Sequence, residues 1–108
     1  MSGKKGTSTF VMQRASAVIL LPFAIWFLWM IAAKSGQSFD AMAAWMASPF
    51  TKILLGVFVT VGALHGRIGV MEVIEDYIHG GLNGVLNMAN WAAALGVIAL
   101  TWWSLLSI

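Results

Sequence analysis

Residues 51–77 read TKILLGVFVTVGALHGRIGVMEVIEDY, an apolar segment with ionisable residues gathered in its second half. Its apolar part is long enough to cross a membrane as a helix, which takes about 20 residues. Each helical residue advances about 100°, so His65, Glu72 and Asp76 share one stripe, and Arg67 points almost the opposite way. The pattern predicts a spanning helix with a histidine inside the membrane and an acidic end at the water boundary.

The composition indicates that the bilayer is the solvent of this chain. Of its 108 residues, 60% are hydrophobic and only 9% are charged. A soluble domain of this size buries only about two thirds of its surface, too little to hide so many apolar side chains. Two further apolar segments carry no charge. The sequence therefore predicts an all-α membrane protein with three transmembrane helices, at about residues 15–33, 51–76 and 85–106.

The same composition excludes several classes of function. The net charge of +2 comes from few residues, without the basic cluster that nucleic-acid binding requires. There is no cysteine, so this chain can supply no disulfide and no thiolate ligand to iron–sulfur or zinc sites. A signal peptide is not expected, because the first apolar segment is as long as a span and lacks a small-residue cleavage site.

Basic residues give a weak prediction of topology. Residues 1–14 form a polar N-terminal segment, expected to begin as a mobile tail and to approach the membrane near residue 10. Three basic residues precede the first span and two flank the opposite loop, which favours a cytoplasmic N-terminus. Residues 39–46 fit a short surface helix or an ordinary loop equally well. Gly80-Gly81 and Asn83-Gly84 predict a short loop before the third helix.

The ionisable residues of the second span each allow more than one interpretation. His65 is either a haem ligand or a histidine that is hydrogen-bonded to a neighbouring helix. Arg67 could neutralise a haem propionate, pair with an acid of a neighbouring protein, or extend towards lipid headgroups. The acidic end formed by Glu72, Glu75 and Asp76 opposes the helix dipole, so it is either solvated or faces a basic partner.

Other polar and small residues lie near this helix. Tyr77 is either an interfacial anchor or a donor to a carbonyl ligand. Gln13, Arg14 and Ser16 form a second polar group at the same membrane face, where Arg14 could serve simply as a positive anchor. Glycines around His65 leave room for a close helix or for a flat macrocycle.

Residues 65–69 (HGRIG) and 75–77 (EDY) together resemble the hydrophobic membrane-anchor subunit of bacterial succinate dehydrogenase, respiratory complex II. In that family a histidine is followed 11 and 12 residues later by an Asp-Tyr pair, as here. Residues 14–17 (RASA) resemble its motif at the start of the first helix, and residues 50–52 (FTK) resemble the start of its second. The resemblance covers about residues 13–79, and the third helix matches only as an apolar span.

The resemblance implies a single membrane-anchor domain over residues 1–108, whose three helices form half of a bundle with a second anchor, the cytochrome b subunit. It also implies iron–sulfur and flavoprotein subunits as partners, with haem b and a ubiquinone site shared between the anchors. His65 would be an axial ligand of the haem iron, and Arg14 would lie near a haem propionate. Tyr77 would hydrogen-bond a quinone carbonyl with Asp76 beside it, whereas Arg67 is a position where family members differ.

In such a complex this chain would help to pass electrons from the iron–sulfur subunit to quinone in a bacterial inner membrane. It contains no flavin motif and no dicarboxylate site, so the chain alone is not expected to be catalytic. Three alternatives remain: the anchor of a related quinol:fumarate reductase, a small transport or assembly protein in which His65 and Arg67 line a polar pathway, and a purely structural anchor without haem.

Overall fold

The computed structural model of the protein describes residues 3–108, so Met1 and Ser2 of the predicted tail lie outside the described residues. All regular structure in this range is helical. In chain order the helices are α1 (Gly3–Lys34), α2 (Phe39–Ala47), α3 (Pro49–Tyr77) and α4 (Gly81–Leu106). The described chain is elongated, with extents of 52 × 25 × 21 Å.

Three of these helices, α1, α3 and α4, are long and apolar enough to cross a membrane. Most of their large apolar side chains are exposed, and the buried apolar core is small. Such a surface suits lipid rather than water. The predicted all-α fold with three spans is therefore confirmed, and the chain is a multi-pass membrane protein. The buried apolar residues are Leu55, Ile68, Ile74, Ala94 and Leu105.

Helix α3 is the centre of the fold, because it packs against each of the other three helices. On the α1 side, the ring of Phe58 lies 6.2 Å from that of Phe23 and 5.3 Å from that of Phe27, centroid to centroid. These distances are typical of favourable aromatic pairs. Near the start of α3, Trp26 of α1 contacts Trp45 of α2 at 6.4 Å. Aromatic contacts thus join α1 to both α2 and α3.

A close approach joins α3 to α4. The Trp102 ring lies directly on Gly56, where a Cβ atom would overlap the ring. The same indole donates from Nε1 to Thr60 Oγ1 at 2.8 Å, and Thr60 donates to the Gly56 carbonyl at 2.7 Å. The glycine makes room for the Trp102 ring. The Thr60 hydroxyl accepts a hydrogen bond from the indole N–H, which would find no acceptor in lipid.

The structure corrects the predicted start of the first helix. Helix α1 begins at Gly3, not near Ala15, so the described part of the expected tail is helical. Thr9, Phe10 and Gln13 face the C-terminal part of α3 across a cavity. Helix α1 therefore faces α3 beyond its apolar segment as well as within it.

A serine cap marks the start of α2, and a proline in the first turn marks the start of α3. The Ser38 side chain accepts a hydrogen bond from the Ala41 N–H at 3.1 Å, and this caps α2. A helix at residues 39–46 was one of the two predicted alternatives, and it is confirmed. Pro49 occupies the first turn of α3, where its missing N–H costs nothing.

The predicted loop around Asn83 is wrong. Helix α4 begins at Gly81, directly after Gly80, whose φ of 76° makes the turn. Asn83 lies inside the first turn of α4 and donates from Nδ2 to the Ile78 carbonyl at 2.9 Å. The Asn83 amide thus donates a hydrogen bond to a carbonyl that has no partner within α3, at the end of that helix. Asn83 therefore caps α3 and does not form part of a turn.

The contact between Gly56 and Trp102 leads to a stability prediction. Gly56→Ala should displace the Trp102 ring and destabilise the protein by about 1–3 kcal/mol, the usual cost of overpacking. Thermal unfolding in detergent would measure this as a lower Tm. Gly96→Ala is the matched control, because a Cβ atom there meets nothing within 4 Å. Equal Tm values for the two variants would show that the close approach contributes nothing to stability.

Candidate functional site

His65 lies on the side of α3 that faces α1, where its Nδ1 is 2.8 Å from Ser16 Oγ. Ser16 is buried, with 9% of its surface exposed, and its Oγ lies 3.0 Å from the Gln13 carbonyl oxygen. The hydroxyl has one proton, which it donates to that carbonyl, so Oγ accepts from the imidazole Nδ1–H. The other ring nitrogen, Nε2, then carries a free lone pair. The serine thus selects the tautomer in which Nε2 is a ligand or an acceptor.

Beyond His65 towards the C-terminal end of α3, α1 and α3 border an open cavity of about 820 Å³. Its lining includes three acidic residues of α3 and Arg14 of α1. Both helices extend here past their apolar segments, so the cavity lies at the membrane–water boundary. Its lining residues are Gly6, Thr9, Phe10, Gln13 and Arg14 of α1, and Met71, Glu72, Glu75 and Asp76 of α3.

Gln13 connects the histidine pair to this cavity. Its carbonyl accepts from Ser16, while its side chain lines the cavity wall close to Gly69. The side-chain Oε1 is buried, and no donor among the described residues reaches it. Since nearly all buried polar atoms are paired in native proteins, a donor from water or from a ligand suits this position.

Arg14 is exposed at the edge of the cavity, with its Cζ 5.3 Å from the centroid of the Phe10 ring. In this arrangement the Phe10 ring contacts one face of the Arg14 guanidinium. Its N–H groups remain available to an anionic group in the cavity.

The structure brings most of the predicted residues together and separates two. His65, Glu72 and Asp76 face α1, as the helical spacing predicts. Arg67 is on the opposite side, with its Cζ 3.9 Å from the centroid of the Trp91 ring. Tyr77 is 77% exposed and is not part of the cavity lining. The ligand roles assigned to these residues remain predictions.

Sequence reasoning did not pair Ser16 with His65, although it had placed Ser16 in a polar group at the same membrane face. The residues 49 positions apart meet only through the packing of α1 on α3. It also missed Asn90, whose Nδ2 donates to the Arg67 carbonyl at 2.8 Å. A polar stripe could have revealed this contact, since Asn83, Asn87 and Asn90 recur at helical spacing in an apolar segment.

A family model described as succinate dehydrogenase/fumarate reductase transmembrane subunit matches residues 1–107. The chain belongs to this family. Within it, the chain is similar to the succinate dehydrogenase hydrophobic membrane anchor subunit of Paracoccus denitrificans, with 31% identity over 80 residues. That match covers 74% of this chain and 62% of the Paracoccus protein.

Rickettsia proteins with the same name are also similar. The one from Rickettsia bellii is 30% identical over 77 residues, covering 71% of this chain and 62% of that protein. The one from Rickettsia conorii is 27% identical over 78 residues, covering 71% and 62%. The matched region thus spans less than two thirds of these relatives. The predicted resemblance to the succinate dehydrogenase anchor is confirmed, and family membership disfavours the transport and assembly alternative.

Proposed function

We propose that this chain is the hydrophobic membrane anchor of a bacterial succinate:ubiquinone oxidoreductase, with its N-terminus in the cytoplasm of an inner-membrane complex. Its partners are a cytochrome b anchor, an iron–sulfur subunit and a flavoprotein subunit. It contributes to a haem b site and a quinone site and is not catalytic alone. The observation that carries this proposal is the Ser16–His65 hydrogen bond, which leaves the imidazole Nε2 free inside a membrane span.

The residues around His65 fit a haem. Metal-bound histidines characteristically donate their second ring N–H to a fixed acceptor, as Nδ1–H does here to Ser16. A Cβ atom at Gly66 would meet nothing within 4 Å, and one at Gly62 would meet only Leu20 Cδ2 at 3.9 Å. Open surface therefore lies beside the histidine. This chain offers one imidazole here, so a second ligand to the haem would have to come from the cytochrome b anchor. Bound haem b supplies one-electron redox chemistry.

Each neighbouring side chain has a distinct role in this proposal. Ser16 orients the ring of His65 and fixes its tautomer. Arg14, held by the Phe10 ring, offers guanidinium N–H groups to a propionate at the cavity edge. The orphan Oε1 of Gln13 accepts from water or from a ligand hydroxyl.

The exposed end of α3 provides the quinone chemistry. Reduction of a quinone to a quinol takes up two electrons and two protons, and the protons come from water. Asp76, with Glu72 and Glu75, lines a cavity at the water boundary and relays them. Tyr77 donates its hydroxyl proton in a hydrogen bond to a quinone carbonyl. Because Tyr77 is 77% exposed, the neighbouring proteins of the complex must close the site around it.

The proposal is tested by purifying the complex on this chain in detergent and recording its reduced-minus-oxidised visible spectrum. We expect a b-type haem spectrum, co-purified flavoprotein and iron–sulfur subunits, and succinate-dependent ubiquinone reduction. Faster quinol-dependent fumarate reduction would favour the fumarate reductase anchor, which the family description also includes. Absence of both haem and large partners would overturn the proposal.

His65→Ala should remove the b-type spectrum or reduce it severely, because the iron loses an axial ligand. His79→Ala is the matched control: His79 is exposed just beyond the end of α3, and its loss should leave the spectrum unchanged. The same visible spectrum, normalised to the flavin content, measures both variants. An intact haem spectrum in His65→Ala would exclude the residue as a ligand.

Ser16→Ala should leave haem bound but weaken its retention about 10–100-fold, the usual effect of losing the partner of a metal-bound histidine. Haem loss to excess apomyoglobin measures retention. Ser16→Thr keeps the hydroxyl and should restore it. If Ser16→Ala and Ser16→Thr lose haem at the same rate, the hydrogen bond does not orient the histidine.

Tyr77→Phe should leave the haem spectrum intact and lower the rate of quinone reduction by about tenfold, equivalent to one hydrogen bond of roughly 1.4 kcal/mol. Succinate-dependent ubiquinone reduction measures this effect. Succinate-dependent reduction of a soluble dye is the control, because it reports the flavoprotein alone. Unchanged quinone kinetics would assign Tyr77 to interfacial anchoring.

A further inference from the structure

The guanidinium of Arg67 is held inside the hydrocarbon layer. Lys52 and Glu72 are 20 positions apart, about 30 Å of helix, which equals the thickness of the hydrocarbon core, and Arg67 lies about 7.5 Å inside this limit. Side chains of a helix tilt towards its N-terminus, so the Arg67 side chain leads away from Glu72 and further into the membrane. Its Cζ lies 3.9 Å from the centroid of the Trp91 ring, a contact that keeps the guanidinium at this depth.

Within residues 3–108, the guanidinium has no polar partner. Nε of Arg67 is buried without a hydrogen bond, and none of the described carboxylates forms an ion pair with the group. The acids at this end of α3, Glu72, Glu75 and Asp76, line the cavity on the side of α1, whereas Arg67 faces α4. A charge at such depth requires a counter-charge or a polar environment.

Three asparagines of α4 form a polar row beside Arg67. Asn83 donates to the carbonyl of Ile78, just past the end of α3, at 2.9 Å, and Asn90 donates to the Arg67 carbonyl at 2.8 Å. These two hydrogen bonds fix one end of the row at the exposed end of α3 and the other at the depth of Arg67. Asn87 lies between them and donates to Asn83 Oδ1 at 3.0 Å. We call Arg67 and these three asparagines the polar seam.

The unpaired groups of the polar seam are both donors and acceptors. The guanidinium and the second amide N–H of each asparagine need acceptors. Asn87 Oδ1 and Asn90 Oδ1 need donors, because no described residue donates to them. A carboxylate of a neighbouring protein could neutralise Arg67, but it would supply no donor to the amide oxygens. Water supplies both, and the Asn83 end of the seam lies at the water boundary.

We propose that water enters along the polar seam and solvates the charge of Arg67 inside the hydrocarbon layer. The seam is thus a water-binding site on the α4 side of α3, separate from the cavity on the α1 side. Its asparagines are half-buried, so they keep the water against the helix pair, while the exposed apolar side chains of Val85 and Met88 cover other parts of the α4 surface. Such water gives Arg67 the polar environment that no described acid provides.

Thiol labelling tests this proposal, because the chain has no cysteine of its own. Asn87→Cys and Asn90→Cys place a thiol in the seam, and Ala89→Cys is the matched control. Ala89 lies between the two asparagines in depth, is exposed, and points away from the seam by helical rotation. The complete assembly, in opened native membranes, is treated with an anionic and with a cationic methanethiosulfonate. These permanently charged reagents react where water carries them, and mass spectrometry of the chain gives the labelling rate.

With both reagents, Asn87→Cys and Asn90→Cys should react at least about tenfold faster than Ala89→Cys, because a thiol in apolar surroundings stays protonated. Depth alone would rank Ala89→Cys between the other two variants, and exposure alone would make it the fastest. If Asn90→Cys reacts as slowly as Ala89→Cys, water does not reach Arg67 and the proposal is overturned. Equally fast labelling of all three variants also overturns it, because water would then not be confined to the seam.

A second pair of variants keeps the test decisive if Asn90→Cys does not assemble. Asn87→Cys is then compared with Met88→Cys, whose side chain is 74% exposed in the native chain and lies next in sequence. Faster labelling of Asn87→Cys supports the proposal, and equal or slower labelling overturns it. The labelling rates require neither haem nor quinone, so failure here would leave the proposed anchor function intact.

Discussion

The structure depends on one constraint: polar groups inside a bilayer must find partners within the protein, because lipid offers none. Helix α3 carries such polar groups on two opposite sides. On each side, a neighbouring helix supplies their hydrogen-bond partners. On the α1 side, Ser16 accepts the Nδ1–H of His65. On the α4 side, Thr60 accepts the indole N–H of Trp102, and Asn90 binds the Arg67 carbonyl. These contacts, more than the small buried core, specify how the three spans pack.

Helical periodicity predicted much of this arrangement. The number and class of the spans follow from charge-free apolar segments, and the opposition of His65 and Arg67 follows from the rotation between successive residues. The number of spans and the opposition of these two residues depend only on residues that are close together in the sequence, so both can be predicted from it. The limits of the helices were less predictable. Helix α1 extends to Gly3 and faces α3 across the cavity, and Asn83 lies in α4 with its amide donating to the Ile78 carbonyl.

The candidate site shows where local reasoning ends. Sequence placed Gln13 and Ser16 at the correct membrane face, but no spacing rule joins Ser16 to a histidine on another helix. The tautomer of His65 follows from two hydrogen bonds that meet at one hydroxyl, and this requires the packed pair of helices. The exposure of Tyr77 likewise depends on which helix surfaces the other helices leave uncovered. Residue type alone does not predict this.

The two sides of α3 also separate two chemical tasks. A carboxylate of α3 close to Arg67 would neutralise its guanidinium. Glu72 and Asp76 lie about 140° and 180° from Arg67 around the helix, which keeps their carboxylates away from its guanidinium. In the proposed function, these carboxylates exchange protons with water at the cavity that Arg14 also lines. Arg67 lies against Trp91 of α4, so the ionisable residues on opposite sides of a single helix have different surroundings.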